Sequence, residues 1–285
     1  MAQFIISAFA DEIAQDLQTQ MDVLEEYGVR YIEMRGVNGK GLVTYPLDEV
    51  REIKKRLDKR GFKLSSVGSP IGKINITDDF EPHMELFKHT LQIAEIMGAP
   101  YIRMFSFFIP KGEDPARYRD EVMERWNRFI QASGDYDVLL LHENEKDIYG
   151  DTAERCLDLM KTLNSPKVKS VFDPANFIQC DEETYPKAYR MLKDYVVYLH
   201  IKDALYEDRS VVPSGYGDGK VKEILTDLYK NGFEGFLSLE PHLQRFKDYG
   251  RLRIDSKVLD MEDGGLKQFA IAKIALDTII REICE

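Results

Sequence analysis

One phrase recurs along this chain: an amphipathic stretch, a glycine, a short spacer, then an apolar run. It appears as Leu24-Glu25-Glu26-Tyr27-Gly28 before residues 29–34, as Asp58-Lys59-Arg60-Gly61 before 62–67, and as Ile96-Met97-Gly98 before 100–105. Ser133-Gly134 precedes 138–141, and Asn231-Gly232 precedes 236–239. Glycine after a helix takes the left-handed conformation at little steric cost. A strand that follows such a helix runs parallel to the previous one, because the helix has carried the chain back. The phrase therefore constrains the chain to parallel β/α units.

Apolar runs predict eight strands, near residues 4–9, 29–34, 63–67, 100–105, 137–142, 168–173, 196–201 and 236–240. Between them Leu17, Met21, Leu24 and Tyr27 form one helical stripe, and Leu47, Val50, Ile53 and Leu57 another. Leu86, Leu91, Ala94 and Met97 form a third. A (β/α)8 barrel needs ~250 residues, which nearly exhausts the 285 present. No Pro/Ser-rich linker interrupts the pattern, so residues 1–285 are expected to form a single TIM-barrel domain. A doubly wound open sheet is the alternative, but Ala8-Phe9-Ala10-Asp11-Glu12 follows the first strand where its glycine fingerprint belongs.

The strand ends carry the chemistry. Glu143 closes Val138-Leu139-Leu140-Leu141-His142-Glu143, and Asp173 closes Val168-Lys169-Ser170-Val171-Phe172-Asp173. His200 closes Val196-Val197-Tyr198-Leu199-His200, and Glu240 closes Phe236-Leu237-Ser238-Leu239-Glu240. Successive strand ends of a parallel barrel converge on one rim, where such barrels place their sites. Three carboxylates converging beside an imidazole repel one another unless a cation lies between them. The expected cofactor is one divalent metal ion held by Glu143, Asp173, His200 and Glu240. Oxygen-rich ligation with one nitrogen suits Mn²⁺ first, then Mg²⁺ or Co²⁺, with Zn²⁺ also compatible.

Charge and cysteine usage narrow the partners. The net charge of −11 disfavours nucleic acid and anionic membranes, both of which recruit basic surfaces. Three scattered cysteines form no CxxC pair or disulfide framework. The N-terminus shows no cleavable leader pattern, and no apolar run approaches a membrane span. The expectation is a cytoplasmic protein acting on a small molecule, with homo-oligomerisation left open.

The segments His142-Glu143-Asn144, Phe172-Asp173-Pro174-Ala175-Asn176, His200-Ile201-Lys202-Asp203 and Leu239-Glu240-Pro241 resemble the xylose-isomerase-like TIM-barrel superfamily of sugar isomerases and epimerases. The resemblance covers essentially the whole chain. It implies the same four metal ligands, and it implies that Glu143 and Glu240 are catalytic acid/base groups on opposite faces of the substrate. Asn176 stands where ketose 3-epimerases carry a histidine. The Asp-Pro-x-Asn form is closer to the sugar-phosphate isomerase/epimerase and inosose-dehydratase branches. Endonuclease IV, in the same superfamily, binds three zinc ions with many histidines. The five here, His83, His89, His142, His200 and His242, are too few.

The expected activity is thus a metal-dependent sugar or sugar-phosphate isomerase or epimerase that removes a proton beside a carbonyl and passes through an enediolate. A dehydratase of an inosose- or keto-sugar-like substrate is the alternative, and a non-catalytic sugar-binding protein a third class. Expected substrate contacts are Asn176, Lys202, His242, Glu33 and Lys73. Lys202 shares inward parity with His200, and a buried lysine needs an anionic or polar partner. Glu33 and Arg35 share parity at the second strand end, either as a salt bridge or as a polar substrate wall. His142 has outward parity and reads as a core histidine. The loop Pro213-Ser214-Gly215-Tyr216-Gly217-Asp218-Gly219 reads as a flexible turn or an anion cradle. Arg245, Lys247, Arg251 and Arg253 read as surface charge.

Overall fold

The structure is a computed structural model, describing residues 2–252, 254 and 256–285. Eight parallel strands close into a barrel: β1 (Gln3–Ala8), β2 (Tyr31–Met34), β3 (Lys63–Val67), β4 (Tyr101–Met104), β5 (Leu139–Glu143), β6 (Val168–Phe172), β7 (Val196–Ile201) and β8 (Glu234–Leu239). Each pairs with its sequence neighbours, and β8 closes on β1 through the register Gln3↔Glu234 to Ala8↔Leu239. The expected strands are thus all present, with ends displaced by at most two residues.

The three stripes read from the sequence lie on the helices Leu17–Glu26, Leu47–Lys59 and Phe80–Met97. Leu17, Met21, Leu24, Val50, Leu57, Leu91 and Ala94 are essentially fully buried against the barrel. The last helix, Gly265–Cys284, packs Phe269, Ile271 and Leu276 into the same core. Gly98 ends the helix Phe80–Met97 with φ of 63°, the left-handed cap that the repeated phrase requires.

Strand parity divides the barrel interior into levels. Ile5, Tyr31, Tyr101, Leu139 and Phe236 pack together with Leu141, Val171 and Tyr198. Beside them Ser7 Oγ lies 2.6 Å from Ser65 Oγ, which lies 2.8 Å from the Tyr198 hydroxyl. One alternation further along the strands, at their C-terminal ends, stand Glu33, Arg103, Glu143 and His200. Two residues beyond the aromatic and hydroxyl level, the interior therefore becomes ionic.

Candidate metal centre and cleft

Glu143, Asp173, His200 and Glu240 converge at the C-terminal mouth of the barrel. They offer one ligand atom each, all within 4.8 Å of one another, and all four residues are buried. His200 Nδ1 lies 3.0 Å from Glu143 Oε1 and 3.5 Å from both Asp173 Oδ2 and Glu240 Oε2. The ring's other nitrogen, Nε2, faces Glu33 Oε2 at 3.1 Å. A carboxylate on the far nitrogen fixes ring orientation and tautomer, an arrangement common behind metal-binding histidines.

Asp173 shows how local sequence sets this geometry. It caps the helix Pro174–Gln179, its Oδ1 accepting the Asn176 N–H at 2.9 Å. A proline at the first helical position supports that start. The cap uses one carboxylate oxygen and leaves the other, Oδ2, for the cluster. Asn144 holds the same turn from the neighbouring strand, accepting the Asp173 N–H and donating to the Asp173 carbonyl, both at 2.9 Å.

Opposing charges dominate the site. Lys202 Nζ lies 2.8 Å from Asp173 Oδ2 and from Glu240 Oε2. Arg103 Nη1 lies 3.3 Å from Glu143 Oε2, and its Nε lies 3.7 Å from Glu33 Oε1. Burial pushes the Glu143 carboxyl up, but the His200 and Arg103 charges outweigh it and hold it at about 2. Burial is likewise overcome at Glu240, where Lys202, His242, His200 and Arg35 hold the carboxyl well below its usual range. His200 is raised well above an ordinary histidine: Glu143 and Glu33 outweigh its burial. Lys202 is raised too, Asp173 and Glu240 outweighing the same penalty.

Does the donor set fit a divalent ion? Glu143 Oε2 and Asp173 Oδ2 are buried, and their nearest charged partners among the described residues are Arg103 and Lys202. The four ligand atoms lie within reach of one common point, and hard oxygens with one imidazole are the ligands that such ions take. The set fits. A second group, Glu12, Glu240 and His242, also lies within reach of a common point. There the Arg35 guanidinium already serves the carboxylates, with Nη2 3.3 Å from Glu12 Oε1 and Nη1 3.2 Å from Glu240 Oε1. A second cation would face Arg35 directly.

A cleft of about 410 Å³ opens over the cluster, lined by Arg35, Lys73, Arg103, Glu143, Glu145, Asn176, Gln179, Lys202, Glu240 and His242 among others. Asp173 and His200 are fully buried beneath it, whereas Glu143 and Glu240 form part of its wall. A larger cleft of about 600 Å³ lies at the opposite mouth, beside Tyr101 and Leu139 at the strand starts. Both potential metal-binding groups found among the described residues lie at the mouth of the smaller one.

Four of the five expected substrate contacts line the cleft. Asn176 donates from Nδ2 to Glu143 Oε1 at 3.1 Å and to the Asn144 carbonyl at 2.9 Å. Its amide hydrogens therefore serve the protein, and its carbonyl oxygen is the atom left to meet a ligand. Lys202 and His242 flank Glu240, with His242 Nε2 3.0 Å from Glu12 Oε1 and 3.5 Å from Glu240 Oε1. Lys73 pairs with Glu145 Oε2 at 2.9 Å and lies over the Phe105 ring. Glu33 is the exception: it is fully buried under His200 and absent from the cleft wall. It stands two residues before Arg35, inside the strand Tyr31–Met34, and so lies deeper in the barrel than Arg35 does.

Other readings resolve as follows. His142 is buried among the helices, its Nε2 2.9 Å from Ser106 Oγ. The amides of the glycine loop face inward: those of Gly215, Gly217 and Gly219 all donate to Asp203. Arg245 and Lys247 are exposed, and Arg253 lies outside the described residues. Arg103 was missed by sequence reading. Its signal was a lone cation inside Ile102-Arg103-Met104-Phe105, with Tyr101, Arg103 and Phe105 in alternation.

A closed parallel barrel with a buried carboxylate–histidine cluster at its C-terminal mouth defines a TIM-barrel protein. The sequence profile of the xylose isomerase-like TIM barrel family matches residues 21–257, and the chain belongs to that family. No curated protein matches the chain significantly. Among solved structures, the IOLI protein with a bound zinc atom superposes with a TM-score of 0.75 at 17% identity, over 97% of this chain and 98% of its own. A D-tagatose 3-epimerase-like protein gives 0.71 at 16% identity, over 99% of each chain. The probable 3-DHS dehydratase AsbF from Bacillus anthracis gives 0.71 at 15% identity, over 98% of this chain and 99% of its own. No helix among the described residues is long and apolar enough to cross a membrane.

Proposed function

We propose that the protein is a divalent-metal-dependent isomerase or epimerase of a sugar-like polyol, acting by proton abstraction beside a carbonyl. The observation that carries this reading is the pair of cleft-facing glutamates, Glu143 and Glu240, joined to Asp173 and His200 in one ligand-competent cluster. These four residues would hold one ion, with Mn²⁺ the first candidate and Mg²⁺, Co²⁺ and Zn²⁺ the others. When bound, the ion supplies Lewis-acid stabilisation for negative charge developing on the substrate's carbonyl and neighbouring hydroxyl oxygens.

The chain's own residues do the rest. Both glutamates are held ionised at neutral pH, the state that a base requires. One removes the proton from the carbon beside the carbonyl, leaving an enediolate; the proton is returned by the carboxylic acid so formed, or by Glu240 on the other face once the Lys202 or His242 cation beside it has passed it a proton. Return to the opposite face inverts the centre; return to the adjacent carbon moves the carbonyl. Asn176 holds Glu143 in place through its Nδ2 hydrogen bond. Lys202 and Arg35 hold Glu240 from its two oxygens. The depth of the cluster excludes bulk water from the enediolate.

A second reading, dehydration of an inosose- or keto-sugar-like substrate, draws support from Lys202 and His242. Both are cations beside Glu240, placed to hand a proton to a departing hydroxyl. The two readings share their first step and part in mass. The test is incubation of ketoses, their phosphates, hydroxypyruvate and keto-inositols in D₂O with Mn²⁺, Mg²⁺ or Co²⁺. Deuterium incorporation with an unchanged formula supports the isomerase reading, and loss of water supports the lyase. Tight binding of a ketose with no exchange under any ion would move the protein to the sugar-binding class.

A further inference from the structure

We infer that the substrate carries no phosphate: the cleft is built for an uncharged keto-sugar or cyclic polyol. The inference rests on the proposed reaction and narrows its substrate class. A sugar phosphate hangs its dianion from a terminal carbon, away from the reacting carbonyl. An enzyme for such a substrate needs a second, anion-binding site at that distance, made of free cations, of backbone amides, or of both.

The amides are already used. The loop after β7, rich in glycine, is where barrels of this type often cradle phosphate. Here Asp203 fills that role from within. Its Oδ1 accepts the N–H groups of Ala204 at 2.9 Å and Gly219 at 2.8 Å, and its Oδ2 accepts those of Gly215 at 2.9 Å and Gly217 at 3.1 Å. Asp203 is fully buried. A Cβ would stand 2.4 Å from Asp203 Oδ1 at Gly217 and 2.6 Å at Gly219. Glycine at these positions is thus explained by the approach of a carboxylate belonging to the chain itself.

The cations that line the cleft among the described residues are used as well. Arg35 serves Asp11, Glu12 and Glu240, with Nε 2.8 Å from Asp11 Oδ2. Lys73 serves Glu145, Arg103 serves Glu33 and Glu143, and Lys202 serves Asp173 and Glu240. His242 serves Glu12. An ion bound by the cluster would compete with Lys202 for its carboxylates, but Lys202 stands at the reacting end of the cleft. Elsewhere in the cleft, a phosphate meeting Lys73 also meets Glu145, and one meeting Arg35 also meets Asp11, Glu12 or Glu240. A hydroxyl group meets the same pairs favourably, because it donates to the carboxylate and accepts from the cation.

The experiment measures solvent-proton exchange with Mn²⁺ for matched pairs, each a ketopentose or ketohexose and its terminal phosphate ester, and titrates the same pairs calorimetrically into Mn²⁺-loaded protein. The free sugars should show kcat/KM and affinity at least ~10-fold above their esters. Glu145→Gln, which releases Lys73, should narrow that gap. Equal or better use of the esters overturns the inference, and so does a gap that Glu145→Gln leaves unchanged. Absence of exchange across the whole panel counts against the proposed reaction instead, and the calorimetric preference then still decides this inference.

Discussion

The two ends of the barrel interior follow one alternation and reach opposite chemistries. Toward the strand starts, Tyr31, Tyr101, Leu139, Leu141 and Phe236 pack as a core, with Tyr101 and Phe236 edge to face at 6.0 Å. At the strand ends the same parity delivers Glu33, Arg103, Glu143 and His200, whose burial is compensated largely by their mutual charges. Burying ions stabilises a fold poorly compared with apolar packing of similar volume. The lower level therefore supplies stability, and the upper level uses part of it to hold a reactive cluster in place.

Substitution should separate the two levels most sharply in activity. Glu143→Gln and Glu240→Gln should each lower solvent-proton exchange by ~10²-fold or more, while both proteins stay folded by circular dichroism. Normal turnover in either variant would break the assignment of chemistry to the mouth. In the lower level, Leu141→Ala should remove roughly 2–5 kcal/mol of stability through a buried cavity, yet leave metal stoichiometry unchanged. Denaturant unfolding and metal analysis read these two quantities on one sample. Loss of the metal from a folded Leu141→Ala protein would show that the levels are not separable.

Acid should loosen the mouth first. His83, on the helix Phe80–Met97, accepts the Gly72 N–H at Nε2 at 2.7 Å, and so holds the loop that carries Lys73. Burial and the nearby Arg125 charge push its pKa down from 6.5 to about 4. The unfolded chain then binds this proton first as pH falls. The neutral histidine's contribution is complete above pH 6.5 and is lost as pH falls through about 4. That gap corresponds to roughly 3 kcal/mol when fully developed. His83→Gln keeps an acceptor without a titration and should flatten the stability profile in this window. An unchanged profile would remove His83 from the account.

The smallest of these effects should lie one level under the cleft. Glu33→Gln removes the charge behind His200 while keeping a polar group, and should weaken metal binding by ~10–100-fold. Calorimetric titration with Mn²⁺ checks it. Unaltered affinity would mean that Glu33 serves Arg103 alone.

Period and parity make much of this legible in the sequence. Glycine-closed helices and apolar runs announced eight parallel strands, and strand-end identity put Glu143, Asp173, His200 and Glu240 in one place. What stayed hidden depends on long-range contacts. Glu33 and Arg35 share a parity, yet Glu33 lies buried against His200 and Arg35 stands in the cleft wall. The glycine loop could have offered its amides to solvent or to the chain, and only the fold brings Asp203 beneath it. Arg103 looked like an intrusion in an apolar strand because its partners, Glu33 and Glu143, are 70 and 40 residues away in sequence.

The central claim is that the four converging residues form one metal site, and binding stoichiometry tests it most directly. Protein stripped with a chelator should take up one Mn²⁺ per chain in a calorimetric titration. Saturation at ~100-fold above Kd should add about 2.7 kcal/mol to its stability. In Asp173→Asn, folded by circular dichroism, that binding should weaken by more than the ~10–100-fold expected of an outer partner, and the added stability should disappear. Equal affinity and equal stabilisation in the native and Asp173→Asn proteins would contradict the account.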